Sequence, residues 1–146
     1  MKRILDFIIA LLCLVVFSPL FLIGYLIIRL EDGGPAFFSQ ERVGRNGRLF
    51  RIYKFRSMIE EAESDGVARL SSRNDDRITP VGRVIRKIRF DELPQLFNVL
   101  KGDMSFVGPR PERPEIIEEC KAAMPEFAYR TKVKAGLTGY AQVYDS

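Results

Sequence analysis

Hydrophobic residues are concentrated near the start of the chain, in an uncharged and almost wholly apolar run from Phe7 to Ile28. A helix over this run would be about 33 Å long, enough to cross the hydrocarbon core of a bilayer. The run is too long for a secretory signal, and no small-residue cleavage site follows it. The pair Ser18-Pro19 lies near its centre, where Pro removes a backbone hydrogen bond and bends a helix. The pattern therefore predicts a membrane helix that is broken at Ser18-Pro19.

Two membrane arrangements fit this helix. The simpler one is a straight transmembrane anchor. However, basic residues lie on both sides of the run, with Lys2 and Arg3 before it and Arg29 after it. Positive charge favours the cytoplasmic side, and both ends reach that side only if the helix bends and leaves by the face through which it entered. The Ser18 hydroxyl can satisfy a carbonyl freed at such a bend, so the sequence favours the re-entrant form over the straight span.

The pattern changes to short mixed segments after the membrane helix. Two apolar-rich runs, Phe37 to Val43 and Leu49 to Phe55, flank the pair Asn46-Gly47, which is the strongest short-range signal for a β-hairpin. Just beyond the second run, Ser57 and Glu60 form a capping box. We therefore expect a hairpin followed by a helix that begins near Met58 and ends before Gly66.

A basic amphipathic helix is predicted after Thr79-Pro80, because Thr is a favoured N-cap and Pro suits the first turn. Apolar residues then recur at helical spacing, and the other positions are basic. The apolar positions are Val81, Val84, Ile85 and Ile88, and the basic ones are Arg83, Arg86 and Lys87. A helix of this kind suits a membrane surface.

Together these elements predict an α+β fold that is mainly helical. An N-terminal re-entrant membrane helix over residues 1–30 would precede a small cytoplasmic catalytic domain over residues 31–146. That domain would contain a β-hairpin and membrane-surface amphipathic helices. The length of the chain agrees with one compact domain beyond the membrane helix.

Composition limits the partners and catalytic groups that this chain can use. The net charge of +4 and the pI of about 9.2 favour anionic partners such as lipid headgroups, nucleotides or nucleic acids. The absence of His excludes Ser-His and Cys-His nucleophile pairs and most zinc sites. Cys13 and Cys120 are isolated thiols, which fits a reducing compartment rather than a disulfide framework.

The adjacent carboxylates Asp91 and Glu92 are the candidate reactive groups. Pro94 follows closely, so the sequence predicts that Asp91 caps a helix with an apolar face and that the N-terminus of this helix favours the ionised carboxylate. The expected apolar face consists of Leu93, Leu96, Phe97 and Leu100, and the basic residues just before the cap are Arg83, Arg86, Lys87 and Arg89. An isolated Asp-Glu pair is usually surface decoration, but a carboxylate among phosphate-binding groups indicates phosphoryl chemistry.

The surrounding stretch, R-K-I-R-F-D-E-L-P-Q-L-F-N-V-L-K-G-D-M-S-F-V-G-P-R-P from Arg86 to Pro111, resembles the signature of the bacterial sugar transferases, which are monotopic polyprenyl-phosphate phosphoglycosyl transferases. Phe90 stands where many members have Leu. The segment K-F-R-S-M from Lys54 resembles a second family element, and the Ser-Pro pair a third. G-L-T-G-Y-A-Q-V from Gly136 resembles a fourth, although Ala135 and Tyr140 replace a Pro and a Trp.

The resemblance implies a reaction and roles for these residues. Asp91 would be the nucleophile that takes a sugar phosphate from a UDP-sugar, releases UMP and passes the group to polyprenyl phosphate. Glu92 would bind the metal or handle a proton, and the sequence leaves that choice open. Lys54, Arg86 and Arg110 would bind phosphates. A Mg²⁺ ion, or Mn²⁺, is expected at Asp91 and Glu92, because phosphates repel a carboxylate unless a cation is present.

The expected partners are a UDP-sugar donor, a polyprenyl phosphate acceptor and membrane lipids, at the cytoplasmic face of a bacterial inner membrane. The alternative is a non-catalytic, membrane-anchored basic module, which would have no need of the Asp91-Glu92 pair. Nucleic acid is not an expected partner, because only the pI suggests it. The sugar and the oligomeric state stay open, a homodimer included. Family members usually continue beyond the position of Ser146, so the resemblance implies a truncated or short member.

Overall fold

The computed structural model describes residues 1–59 and 75–139. These residues form an α+β fold in which helices dominate and the strands form two-stranded sheets, so the predicted fold class is confirmed. The helices are α1 (Lys2–Val16), α2 (Ser18–Asp32), α3 (Pro80–Lys87), α4 (Gln95–Lys101) and α5 (Pro114–Ala123). The strands are β1 (Phe37–Val43), β2 (Leu49–Phe55), β3 (Met104–Val107) and β4 (Ala135–Thr138).

The apolar run is broken where the sequence predicts it. Helix α1 ends at Val16, and Ser18-Pro19 begins α2, so Pro19 occupies a position in the first turn where it costs no hydrogen bond. Within residues 1–59 and 75–139, no single helix is both long and apolar enough to cross a membrane. The pair α1 and α2, bent by 61° at the break, passes that test together on length and composition.

The chain folds as two compact units. The first contains the described residues of Met1–Val16, Ser39–Tyr53 and Gln95–Ser146, and the second those of Phe17–Phe38 and Lys54–Pro94. The hairpin of β1 and β2 therefore contributes residues to both units. The predicted domain division at residue 30 stays a prediction.

The hairpin forms as its turn signal predicts. Asn46 and Gly47 lie in the loop between β1 and β2 and take positive φ angles of 60° and 76°. The left-handed conformation is accessible to Asn and Gly at little cost, which is why this pair closes tight turns. The Gly44 N–H donates to the Arg48 carbonyl at 2.8 Å and closes the loop.

The core of the first unit includes part of the apolar N-terminal helix. Ala10 of α1 is fully buried with Ile52, Val99, Met104 and Ala135. Polar contacts hold the same helix: the Ser105 hydroxyl donates to the buried carboxylate of Asp6 at 2.7 Å, and the Arg3 guanidinium donates to the carbonyls of Val99 and Leu100 at 2.7 and 2.6 Å. Strands β3 and β4 pair in parallel next to this core.

Helix α4 differs from its predicted form. Its buried residues include the polar Gln95 and Asn98, whereas Phe97 is exposed. The side-chain amide of Asn98 is fully buried, donates to the Arg51 carbonyl at 2.7 Å and accepts from the Tyr53 N–H at 3.1 Å. The burial of Asn98 therefore follows from strand β2, whose backbone it satisfies, and apolar spacing alone could not indicate it.

The second unit is built on aromatic rings. Phe55 stacks on Phe90 at 5.4 Å between centroids and on Phe37 at 5.1 Å, and it also contacts Phe21. Gly24 allows α2 to approach these rings, because a Cβ there would lie 2.6 Å from a ring carbon of Phe90. Ring stacking of this kind adds to the stabilisation from buried apolar area.

Helix α3 begins as predicted, with the Thr79 hydroxyl accepting from the Gly82 N–H at 2.9 Å. Its apolar positions do not form one buried face. Ile85 is buried, whereas Val84 and Ile88 are 61% and 65% exposed. Exposed apolar side chains beside basic ones are the pattern expected of a helix that lies on a membrane surface.

The predicted helix near Met58 does not begin there. Met58 pairs with Ile78 in an antiparallel bridge, and the Ile59 N–H donates to the Arg77 carbonyl at 2.7 Å. Long-range pairing therefore overrides the capping-box signal at these two residues. The rest of that predicted helix, through Gly66, lies outside the described residues, as does Tyr140 of the G-L-T-G segment.

Candidate active site

Four of the predicted site residues come together in the second unit: Lys54, Arg86, Asp91 and Glu92. Lys54 lies near the end of β2, and Asp91 and Glu92 lie in a short 3₁₀ turn over Phe90–Glu92. The Lys54 ammonium nitrogen is 3.6 Å from a Glu92 carboxylate oxygen, and both side chains are largely buried. The carboxylate pair is therefore part of a largely buried charged cluster and does not consist of solvent-exposed surface residues.

Two stacked phenylalanines, Phe55 and Phe90, are sequence neighbours of residues in this cluster. Phe55 directly follows Lys54, and Phe90 directly precedes Asp91. The rings of Phe55 and Phe90 stack with an interplanar angle of 11°, which links the end of β2 that carries Lys54 to the turn that carries Asp91. This role was not predicted from the sequence, in which Phe90 stands out only as a departure from Leu. The sequence feature that could have indicated this role is the aromatic residue next to Lys54 and the one next to Asp91.

Asp91 does not cap α4, which corrects the prediction. It lies inside the 3₁₀ turn, and α4 begins only at Gln95. The turn follows Arg89, which takes a left-handed conformation with φ of 58°. A single 3₁₀ turn has no long run of aligned peptide dipoles, so the expected support from a helix N-terminus is missing.

Burial is the largest influence on the pKa of the Asp91 carboxyl. Its side chain is only 6% exposed, and loss of solvent raises the pKa of the Asp91 carboxyl above its ordinary value of 3.8. The Lys54 ammonium opposes this rise, Glu92 adds to it and Arg86 opposes it, with burial the largest of these influences. The expectation of a carboxylate whose pKa is lowered by a helix terminus is therefore wrong in direction.

Arg86 is held by the segment that begins at Lys54. Its guanidinium Nε donates to the Ser57 hydroxyl at 2.9 Å. Gly82 makes this contact feasible, because a Cβ there would lie only 2.0 Å from the Ser57 carbonyl oxygen. Helix α3 and the backbone of Ser57 therefore approach too closely for a Cβ at residue 82, and Arg86, one helical turn after Gly82, contacts the Ser57 side chain.

Arg110 belongs to the first unit and is exposed. It follows β3 and Gly108-Pro109, and its backbone carbonyl accepts from the Arg130 guanidinium at 2.5 Å. Gly136 packs against this turn, since a Cβ there would lie 2.1 Å from the Gly108 nitrogen. The G-P-R-P and G-L-T-G segments, which the resemblance singled out separately, thus meet in the first unit.

The donor set at Asp91 and Glu92 suits a Mg²⁺ ion that is bound together with phosphate. In residues 1–59 and 75–139, no group of three or more His, Cys, Asp or Glu side chains could hold a metal ion. Mg²⁺ commonly takes only one or two protein carboxylates, with phosphate oxygens and waters as its other ligands. Two adjacent carboxylates, one of them buried, fit that arrangement, and a zinc cage is not offered by these residues.

Comparison with known proteins decides the family. Residues 1–146 match the model of the family described as bacterial sugar transferase. The chain belongs to this family. The resemblance noted in the sequence is therefore confirmed over the whole chain.

Two relatives in this family carry named activities. The chain is 49% identical over 142 residues to the UDP-N-acetylgalactosamine-undecaprenyl-phosphate N-acetylgalactosaminephosphotransferase of Aeromonas hydrophila, covering 97% of this chain and 33% of that protein. It is 48% identical over 142 residues to the UDP-glucose:undecaprenyl-phosphate glucose-1-phosphate transferase of Caulobacter vibrioides, covering 97% of this chain and 53% of that protein. The chain thus spans between about a third and about half of the length of these two curated relatives.

Proposed function

We propose that this bacterial sugar transferase moves a sugar 1-phosphate from a UDP-sugar to undecaprenyl phosphate, releases UMP and thereby initiates the assembly of a bacterial glycan. The donor and acceptor classes follow from the named activities of the two relatives. The observation that carries the proposal is the buried carboxylate of Asp91 beside the Lys54–Glu92 ion pair and Arg86. The cluster combines a nucleophile with cations for phosphate, which a simple lipid-binding module does not need.

The first chemical step is an attack by Asp91. A carboxylate oxygen bonds to the β-phosphorus of the UDP-sugar, and the bond from that phosphorus to the oxygen bridging the two phosphates breaks. UMP leaves with the bridging oxygen, and the sugar phosphate stays on Asp91 as an acyl phosphate. A phosphate oxygen of the lipid then attacks the same phosphorus and releases the Asp91 carboxylate, which gives a diphosphate-linked sugar lipid.

The surroundings of Asp91 support this role. A buried carboxylate gives up little hydration when it attacks, and the raised pKa of Asp91 is consistent with a basic nucleophile. The Lys54 ammonium favours the ionised form that the attack requires. Lys54 and Arg86 would each bind phosphate oxygens and oppose the charge that develops on them, and Arg110 of the first unit stays a predicted phosphate-binding residue.

Mg²⁺, or Mn²⁺, held by Asp91 and Glu92, would withdraw charge from the phosphate oxygens. Glu92 is already paired with Lys54, so it contributes to the site by holding that ammonium beside Asp91 as well as by offering an oxygen ligand. The two carboxylates therefore have different parts in the proposal: Asp91 forms a covalent bond and Glu92 does not.

The proposed location is the cytoplasmic face of the bacterial inner membrane, with a re-entrant helix formed by α1 and α2. This placement is supported by the break at Ser18-Pro19, by the bent apolar pair and by the basic flanks of the apolar run. The exposed Val84 and Ile88 of α3 would add contacts to the membrane surface.

The test is a panel of UDP-sugars offered to the full chain embedded in membrane, with Mg²⁺ and with or without undecaprenyl phosphate. We expect one donor to yield one equivalent of UMP without lipid acceptor, together with protein that carries a sugar phosphate on Asp91. Asp91→Asn should abolish both products and lower kcat and kcat/KM together. Glu92→Gln should lose turnover through its effect on Lys54 or on the metal.

A matched control is Glu118→Gln, which removes an exposed carboxylate of α5 whose ion pair with Lys121 is a weak surface contact at 3.9 Å. This variant should retain full UMP release. Substantial turnover by Asp91→Asn, or release of UMP only when lipid is present and without labelled protein, would show that Asp91 is not the nucleophile.

A further inference from the structure

A basic cavity lies in the first unit, at the hairpin loop. Its volume is about 460 Å³, and it is lined by the loop between β1 and β2, by the end of α4 and by the residue that precedes β4. Its charged lining residues are Arg45, Arg48, Lys101, Asp103 and Lys134. None of these residues belongs to the candidate active site.

The charges of this cavity are unbalanced. Asp103, the acidic residue of the lining, is already paired with Lys101. Its carboxylate lies 3.7 Å from the Lys101 ammonium and accepts from the Asn98 amide at 3.5 Å. In the described residues, no hydrogen bond or ion pair engages the side chains of Arg45, Arg48 and Lys134. These three cations converge on one cavity, so an anion there would relieve their mutual repulsion.

The walls of the cavity are preformed. The loop that carries Arg45 and Arg48 is closed by backbone hydrogen bonds, and Lys101 is held by the Tyr53 hydroxyl at 3.3 Å. Gly102 takes a φ of 92°, and a Cβ there would lie 3.3 Å from the Arg3 guanidinium, which adds a further positive charge behind the wall. A site built on preformed elements loses little entropy when it binds its ligand.

We propose that this cavity binds a phosphate group. Guanidinium groups bind phosphate oxygens bidentately, and the ammonium groups contribute as point charges. The volume is within the range of small-ligand sites and exceeds that of a single inorganic phosphate, so the group is carried by a larger molecule or by a lipid headgroup. The inference does not depend on the proposed transfer reaction.

Lysine acylation reports on the cavity in the unaltered chain. The full chain is placed in nanodiscs of phosphatidylcholine, and acylation by an N-hydroxysuccinimide ester is mapped with and without inorganic pyrophosphate at constant ionic strength. We expect pyrophosphate to protect Lys134 and Lys101 several-fold, and to leave Lys121 of α5 unprotected. A second series replaces part of the phosphatidylcholine by phosphatidylglycerol and omits pyrophosphate.

A fluorescent reporter gives an independent measurement. The chain contains no Trp, and Leu49 lines the cavity and is 55% exposed, so Leu49→Trp places a single indole at the site. Its fluorescence should respond to the same ligand that protects Lys134. Asp91→Asn should leave this response unchanged, which separates the cavity from the proposed active site.

The decisive comparison uses two variants of equal charge. Arg45→Gln with Arg48→Gln removes two cations from the cavity, whereas Lys121→Gln with Lys132→Gln removes two from outside it. The cavity variant should bind roughly tenfold more weakly or worse, because it loses two charge-assisted contacts, and the control should bind as the parent does. Protection by pyrophosphate indicates a soluble phosphate ligand, and protection by phosphatidylglycerol alone indicates a headgroup. Absence of both, or equal loss in the two variants, overturns the proposal.

Discussion

At the scale of single residues, the sequence suggests candidate reactive groups but does not indicate their surroundings. Phosphoryl chemistry could be proposed from the motif containing Asp91 and Glu92, because its residue types suit that chemistry. The environment of Asp91 could not be inferred from the sequence, since residues near this site such as Phe55 and Phe90 lie far apart in the chain and come together only after folding. Local helix signals therefore predicted the wrong direction for the pKa of Asp91.

The burial of Asp91 predicts a conflict between stability and activity. At low pH the carboxyl is protonated in both states and the conflict vanishes. As the pH rises past the ordinary value of 3.8, the unfolded state ionises first, so the folded state loses stability until the raised pKa is passed. In metal-free buffer, Asp91→Asn should therefore raise the free energy of unfolding at pH 7 and have little effect near pH 3.

Chemical denaturation of detergent-solubilised protein at the two pH values measures this difference. Glu118→Gln serves as the control, because its exposed carboxyl should not change the free energy of unfolding at either pH. A stability loss in Asp91→Asn at pH 7 would mean that the attraction of its carboxylate to Lys54 and Arg86 outweighs burial.

The carboxylate pair also predicts the metal requirement. The expected metal ligands are the two carboxylates of Asp91 and Glu92, and the chain contains no His. UMP release should therefore require Mg²⁺ or Mn²⁺ and should stop on addition of a chelator. Zinc should not restore it. UMP release is measured before and after EDTA, followed by readdition of each metal. Full activity in excess EDTA would remove the ion from the proposed reaction.

At the scale of elements, strong local signals succeeded where long-range contacts agreed with them. Asn46-Gly47 closes the hairpin and Thr79 caps α3, as expected. The capping box at Ser57 failed at Met58, where pairing with Ile78 gives an extended bridge instead. Tertiary pairing decides such cases, and a local signal carries no information about it.

Gly82 predicts how closely α3 must approach Ser57. In Gly82→Ala the new Cβ would lie 2.0 Å from the Ser57 carbonyl oxygen, and backbone cannot yield as a flexible side chain can. We expect a destabilisation of about 1–3 kcal/mol and loss of UMP release, because Arg86 would separate from Ser57. Thermal unfolding and turnover measure the two effects. Gly47→Ala is a comparison with backbone strain but no clash, because its φ is 76° and no atom lies within 4 Å of its Cβ position; it should lose some stability and keep UMP release.

At the scale of the whole molecule, the sequence predicted the family and the α+β fold class. It did not predict how the helices and strands are divided between the two compact units. The sequence suggests a membrane helix followed by a separate domain, because hydrophobicity changes abruptly after Ile28. Contacts assign α1 and α2 to different units, and the predicted domain division at residue 30 stays a prediction. Hydropathy reports the solvent that a segment prefers and does not report which core it completes.

The proposed topology gives a prediction at this scale. Cysteine labels at Lys2 and at Gly34, introduced in a chain whose two native Cys are replaced, should both react only from the cytoplasmic side. Reagents that cross or do not cross the inner membrane distinguish the sides in intact cells. A label at residue 2 that reacts from the periplasm would restore the straight span. Pro19→Leu, which lets the helix continue, should shift the chain towards that result.

The contacts of α1 have a practical consequence for protein engineering. An apparent membrane anchor is commonly deleted to obtain a soluble fragment. Here Ala10 fills the core of the first unit, and Asp6 accepts the hydrogen bond of the buried Ser105. A fragment that begins at Ser39 would leave a void and an unpaired hydroxyl, so it should express as an aggregate without a cooperative melting transition. Exposed apolar residues of α1, such as Leu12 and Val15, are the better positions for polar substitution, and such a chain should retain its melting transition.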